Sequence, residues 1–207
     1  MKLVLDFDDV IFNAKAFKEL MFFYLAERGI RNAKEVYEQM RQRERAFSVI
    51  RYLDELGIKE EEERDEVYEG IMTPCVWLAN KEVIALMEQI GKENIFILSQ
   101  GDGAFQRDKI ERSLGGNVLG SHVVVVPESK TEELKRICHM FNTEEVIFVD
   151  DKVEFLNAIP VTNIQNLKTV LFNENGLDTL RSEIRESRRL EQERANQERN
   201  TKGPTMR

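Results

Sequence analysis

Three carboxylates stand within four residues near the start of the chain, where Leu3-Val4-Leu5 runs into Asp6-Phe7-Asp8-Asp9-Val10. So short an apolar run reads as a strand buried on both faces, and carboxylates beside it stay ionised only where a cation or strong donors compensate them. The arrangement predicts a magnesium site at the carboxyl end of a strand, the edge where open parallel sheets bind ligands. Side chains of an extended strand alternate, so Asp6 and Asp8 share a face while Phe7 points into the packing layer. Two such carboxylates can divide labour, one attacking as a nucleophile and the other moving a proton, when their surroundings separate their pKa values. An acidic turn at a strand end would show the same letters, so the rest of the chain decides.

Each later apolar run also ends in a polar residue. Ile95-Phe96-Ile97-Leu98 leads into Ser99-Gln100-Gly101-Asp102-Gly103, a glycine-bearing turn whose N–H groups can face an anion. Lys130 follows Val123-Val124-Val125-Val126 and the loop Pro127-Glu128-Ser129. It stands at the start of a helix, where its charge opposes the dipole unless an anion lies near. Val146-Ile147-Phe148-Val149 ends in Asp150-Asp151, an adjacent pair that repels itself unless a cation intervenes.

Periodicity shows the elements that must position these groups. Phe17, Leu20, Met21, Tyr24 and Leu25 recur at spacings of three and four, which predicts an amphipathic helix ended by Gly29. Further helical stretches run through Val36, Tyr37 and Met40, through Phe47, Ile50, Leu53 and Leu56, and over 60–68. Residues 13–72 thus read as a helical insertion with a core of its own, and Thr73-Pro74 marks the return. Beyond it helix and strand alternate. Asn80 caps a helix closed by Gly91, helices cover 104–114 and 131–141, and a last strand covers 167–172. The fold class that follows is α/β, a Rossmann-like parallel sheet core with helices on both faces and an inserted α-helical cap. The division is 1–12 and 73–177 for the core, 13–72 for the cap and 178–207 for a charged helical or disordered tail. From Glu183 onward seven basic and five acidic residues leave little to bury, so no packed face is expected there.

Composition narrows the function classes. A net charge of −8 and a pI near 5.1 argue against general nucleic-acid binding through a broad basic face. Cys75 and Cys138 sit in no metal-ligand spacing, and no stretch has the apolar length of a membrane span, so a cytoplasmic protein is expected. His122 and His139 are far apart and read as structural, and Trp77 as packed near the insertion's hinge.

The order of Asp-x-Asp, Ser, Lys and Asp-Asp, each after an apolar strand, resembles the haloacid dehalogenase-like superfamily over residues 1–172. The resemblance implies that Asp6 is a nucleophile forming an aspartyl-phosphate and that Asp8 is the general acid and base. It implies that Ser99 and Lys130 hold the phosphoryl oxygens, with Gln100 beside them in the phosphate-binding turn. It also implies that Mg²⁺ is held by Asp6, Asp150, Asp151 and the Asp8 backbone carbonyl. Asp8 points to phosphatases, because dehalogenase members lack a carboxylate there. Asp9 and Val10 depart from the family's usual glycine and frequent threonine. The implied activity is magnesium-dependent hydrolysis of a small phosphorylated metabolite. A phosphomutase and a non-catalytic binding or regulatory protein are the alternatives. Lys15, Arg41, Arg43 and Arg45 in the insertion are candidate contacts for a second anionic group of the substrate, and a homodimer is a possible assembly.

Overall fold

The computed structural model describes residues 1–44, 46–115, 122–158 and 164–201. Strands β1 (Lys2–Leu5), β2 (Ile95–Gln100), β3 (Val123–Val126), β4 (Val146–Asp150) and β5 (Leu167–Leu171) form one parallel sheet in the order β3-β2-β1-β4-β5. The chain starts in the central strand, builds outward through β2 and β3, then crosses to β4 and β5 on the other side. The direction of winding therefore switches between β1 and β4, and this is where open α/β sheets leave a ligand crevice. Leu5 stands level with Ile97 on one side and Val149 on the other, and the Asp6 N–H continues the ladder by donating to the Val149 carbonyl at 2.9 Å. Asp6 and Asp150 thus leave the sheet side by side.

Both faces of the sheet are covered, which is why β1 to β4 read as apolar runs, while the edge strand β5 carries Lys168 and Thr169. Leu3, Leu5, Ile95, Ile97, Ile147 and Val149 face one apolar cluster, whereas Val4, Phe96, Leu98, Val146 and Phe148 face another. The insertion forms four helices, α1 (Ala14–Glu27), α2 (Ala33–Arg43), α3 (Val49–Glu55) and α4 (Glu61–Met72). Helices α5 (Lys81–Ile90) and α6 (Gly103–Leu114) pack on the Leu3 face, and α7 (Thr131–Met140) and α8 (Val153–Ala158) on the Val4 face. The Asn80 side chain caps α5 by accepting from the N–H groups of Glu82 and Val83. Phe17, Met21, Tyr52 and Ile71 of the four inserted helices belong to the same cluster as Leu3 and Leu5, so the insertion's core is continuous with the sheet's.

That shared core replaces the separate one expected for the insertion, and three further features depart from the sequence reading. Helix α8, only six residues long, carries too few apolar positions for periodicity to reveal it. Trp77 lies in a 3-10 helix over Thr73–Trp77 and is 70% exposed, so it does not pack at the hinge. Helix α9 (Gly176–Thr201) is not wholly solvated: Leu180, Ile184 and Ser187 are buried on the Leu3 face. Their spacing of four and three makes one narrow stripe, diluted in composition by the charges around it. Arg181 pairs with Glu82 at 3.0 Å and Arg188 donates to the Gln89 carbonyl at 3.0 Å, tying α9 along α5. Lys202-Gly203-Pro204, a run whose glycine and proline disfavour a continuing helix, lies outside the described residues. Cys75 and Cys138 are free and buried. Among the described residues no helix is long and apolar enough to cross a membrane.

Candidate active site

The end of β1 and the end of β4 bring an acidic cluster together around one lysine. Lys130, buried at the start of α7, places Nζ 2.8 Å from Asp6 Oδ1 and 2.6 Å from Asp150 Oδ2. Asp6 Oδ1 also accepts from the Phe7 N–H at 2.7 Å, and Asp150 Oδ1 from the Lys152 N–H at 2.9 Å. Oxygens of Asp6, Asp150 and Asp151 lie within 4.8 Å of one another. Asp151 Oδ1 is buried with no hydrogen-bond partner. Three carboxylates around one ammonium leave negative charge in excess, and a buried carboxylate oxygen without a donor is costly. An all-oxygen set of this kind suits a hard divalent cation such as magnesium.

The charges respond to this crowding. Burial pushes the Asp6 carboxyl up to about 7 against the pull of Lys130, with Asp150 adding to the rise. Burial works to lower Lys130, but Asp6 and Asp150 together hold its ammonium above the ordinary lysine range. Asp151 is raised by burial, partly offset by Lys152.

Asp8 faces a different environment. Its Oδ1 pairs with Lys109 Nζ at 2.6 Å and its Oδ2 accepts from Gln106 Nε2 at 2.9 Å, so both oxygens are engaged by α6. Burial alone would raise this carboxyl, yet the charge and hydrogen bond of Lys109, aided by Gln106, hold it below its ordinary value. Lys109 is 3% exposed and lies among four aromatic rings, with Nζ 5.4, 5.2, 6.0 and 5.0 Å from the centroids of Phe7, Phe12, Phe17 and Phe105. Asp6 and Asp8, two residues apart, thus have their proton affinities pushed in opposite directions. The Asp8 carboxylate stands apart from the acidic cluster, and its expected part in a metal site rests on its backbone carbonyl alone.

Asp9 is exposed and is not one of the clustered carboxylates, though its charge adds to the rise at Asp151. It has φ +58° and accepts from the Ala14 N–H at 3.0 Å through Oδ1. The left-handed backbone accounts for the usual glycine at this position, and aspartate is among the few other residues that tolerate it. Val10, in place of threonine, is buried in the apolar cluster.

Ser99 lies near the end of β2, level with Val125 of β3, and its buried hydroxyl has no hydrogen-bond partner. A cavity of about 400 Å³ opens beside Asp6, Asp8 and Lys130, with Gln100 and Gly101 on its wall. Lys15 and Arg41 line it from α1 and α2. Arg43 instead pairs with Glu55 at 3.4 Å and does not line it, while Arg45 lies outside the described residues. Four polar lining residues escaped the sequence reading: Lys18, Gln106, Lys109 and Lys152. A signal for two of them existed. Gln106 and Lys109 fall on the buried stripe of α6 with Phe105, Ile110 and Leu114, and charged residues are almost never so deep without a partner. His122 packs edge-on against Phe96, with centroids 4.7 Å apart, on the wall of a separate apolar pocket.

No protein-family model and no curated protein matches the sequence. Solved structures do match. A protein described as a haloacid dehalogenase-like hydrolase from Burkholderia xenovorans is similar at TM-score 0.63 and 20% identity, covering 86% of this chain and 89% of that one. The chain has the haloacid dehalogenase-like fold. A protein described as a HAD-hydrolase from Bacillus subtilis, bound to magnesium, shares the fold at TM-score 0.50 and 13% identity, covering 83% of this chain and 86% of that one. A hydrolase from Streptococcus pneumoniae shares it at TM-score 0.50 and 13% identity, covering 88% and 97%. The haloacid dehalogenase-like fold places Asp6, Ser99, Lys130 and Asp150 at one edge of one sheet, the edge at which its winding reverses.

Proposed function

We propose that the protein is a magnesium-dependent phosphatase acting on a small phosphorylated metabolite through an aspartyl-phosphate. The observation that carries this reading is Lys130 seated between Asp6 and Asp150, with Asp151 completing an oxygen cluster of which Asp6, like Lys130, lines a cavity. Magnesium, held by Asp6, Asp150, Asp151 and the Asp8 carbonyl, would supply charge neutralisation for the phosphoryl oxygens. Lys130 keeps Asp6 in place and shields it from the like charge of the arriving phosphate. The free Ser99 hydroxyl is a donor for a phosphoryl oxygen, beside a turn whose Gly101 N–H is spent on the Val126 carbonyl at 2.9 Å.

Asp6 attacks phosphorus as the ester P–O bond breaks, and the departing alkoxide takes a proton from Asp8. Water then attacks phosphorus, passing its proton back to Asp8, and the Asp6 O–P bond breaks to release phosphate. Lys109 and Gln106 hold the Asp8 carboxylate aimed and ionised at rest, the form required to accept the proton of water. For the first step Asp8 must be protonated and one of those contacts must loosen, and a phosphate ester arriving as its monoanion can bring that proton. Helices α1–α4 act as the cap that walls the reaction from water. The test is turnover of p-nitrophenyl phosphate with magnesium, comparing native protein with Asp6→Asn. The native protein is expected to release p-nitrophenol and the variant to fall to background. Equal, near-background rates would overturn the reading.

A further inference from the structure

We infer that the substrate carries a second anionic group, a carboxylate or a second phosphate, received by Lys15 and Lys18 of α1 together with Arg41 of α2. This rests on the phosphatase reading and names the class of ester. The walls of the cavity differ in charge. Its three lining carboxylates, Asp6, Asp8 and Asp9, all come from the segment after β1, while the helical wall contributes Lys15, Lys18 and Arg41 and no carboxylate. On the sheet side Lys130 is paired with Asp6 and Asp150 and Lys109 with Asp8, while Lys152 has no ion pair among the described residues and stays available to a phosphoryl group. On the helical side Lys15 and Lys18 have no carboxylate partner among the described residues, and Lys18 Nζ lies 5.6 Å from the ring centroid of Tyr37.

Basic residues on these helices do not face the cavity by default, since Arg43, two positions from Arg41, turns to Glu55. One phosphoryl group needs the sheet-side donors, with Lys152 also lining the cavity there. A single phosphate would leave Lys15 and Lys18 without a counter-charge on closure of the site. Tyr37 and Phe47 line the cavity with the two lysines, providing apolar surface for a carbon skeleton between two acids. The volume of about 400 Å³ lies in the range of small-metabolite sites.

The test uses monophosphates of straight-chain diols of increasing length, and the same chains ending in a carboxylate or a second phosphate. With magnesium, kcat/KM for an acid-tailed ester should exceed that of its hydroxyl-tailed counterpart by about tenfold or more, as expected for a charge-assisted contact. Which acid gives the larger ratio identifies the group. The ratio should fall several-fold in Lys15→Gln/Lys18→Gln, where Arg41 alone remains, fall less in each single variant, and persist in Lys15→Arg/Lys18→Arg. Equal rates for all tails in native protein, or an unchanged ratio in the glutamine pair, would overturn the inference. Should no ester turn over, p-nitrophenyl phosphate included, the phosphatase reading fails. Calorimetric titration with a non-hydrolysable alkyl bisphosphonate then decides the second-anion site separately. Binding to native protein that weakens about tenfold or more in the glutamine pair supports it, and absent or unchanged binding overturns it.

Discussion

Removing either partner of the Lys109–Asp8 pair should destabilise the protein, and unequally. Lys109 is sealed among aromatic rings, whereas the Asp8 side chain keeps 24% of its surface on the cavity. In Asp8→Asn the buried ammonium loses its counter-charge and retains only an amide oxygen, a loss of about 3 kcal/mol, the lower end for breaking a buried pair. In Lys109→Met the stranded carboxylate still has Gln106 and can be wetted from the cavity, while the thioether suits the aromatic cage, so the loss is about 2 kcal/mol. The double variant leaves no charge unmatched and should lose about 2 kcal/mol, which makes the coupling about 3 kcal/mol. Urea denaturation of the four proteins gives these values from the midpoints and slopes. Lys109→Met should also move the low-pH limb of kcat to higher pH, because Lys109 is what holds the Asp8 carboxyl down. A coupling within about 0.5 kcal/mol of zero, or a larger loss for Lys109→Met than for Asp8→Asn, would refute the reasoning.

Ser99→Ala removes a buried hydroxyl with no partner, so the melting temperature should hold or rise, while kcat/KM falls about 10- to 100-fold. A drop in both would assign the hydroxyl to folding instead. The Asp6 carboxyl rises from 3.8 to about 7 on folding, so the metal-free folded state binds more protons than the unfolded state between those values. Stability from this group is therefore lost as pH climbs from about 4 to 7, and magnesium, competing with that proton, should raise the melting temperature more at pH 8 than at pH 5. An equal rise at both would contradict the assignment of Asp6 to the metal. Ile184→Ala should cost about 2–4 kcal/mol in urea denaturation, because that side chain is 3% exposed under α9, whereas a solvated tail would show no change.

The centre of the sheet was legible because both its faces are buried, so β1, β2 and β4 appear as apolar runs leading into the residue that matters, whereas the edge strand β5 carries Lys168 and Thr169. Asp6, Ser99 and Asp150 could be placed at one edge from that pattern alone, and Lys130 from its oddity at a helix start. What stayed hidden depends on contacts between distant segments. The pairing of Asp8 with Lys109 spans 101 positions and joins the β1 loop to the buried stripe of α6. Lys18 and Lys152 carry no local signature and acquire meaning only by lining the same cavity as Asp6. The docking of α9 was concealed by averaging, since Leu180 and Ile184 are two apolar residues in a segment dominated by charge.

Trapping the covalent intermediate is the most direct test of the central claim. Native protein turning over p-nitrophenyl phosphate with magnesium is quenched and reduced with borohydride, which converts an acyl phosphate to an alcohol, and its peptides are sequenced by mass spectrometry. The account predicts homoserine at position 6 and at no other aspartate. Turnover with no reduced residue, or with reduction at Asp8 or Asp150 instead, would contradict it.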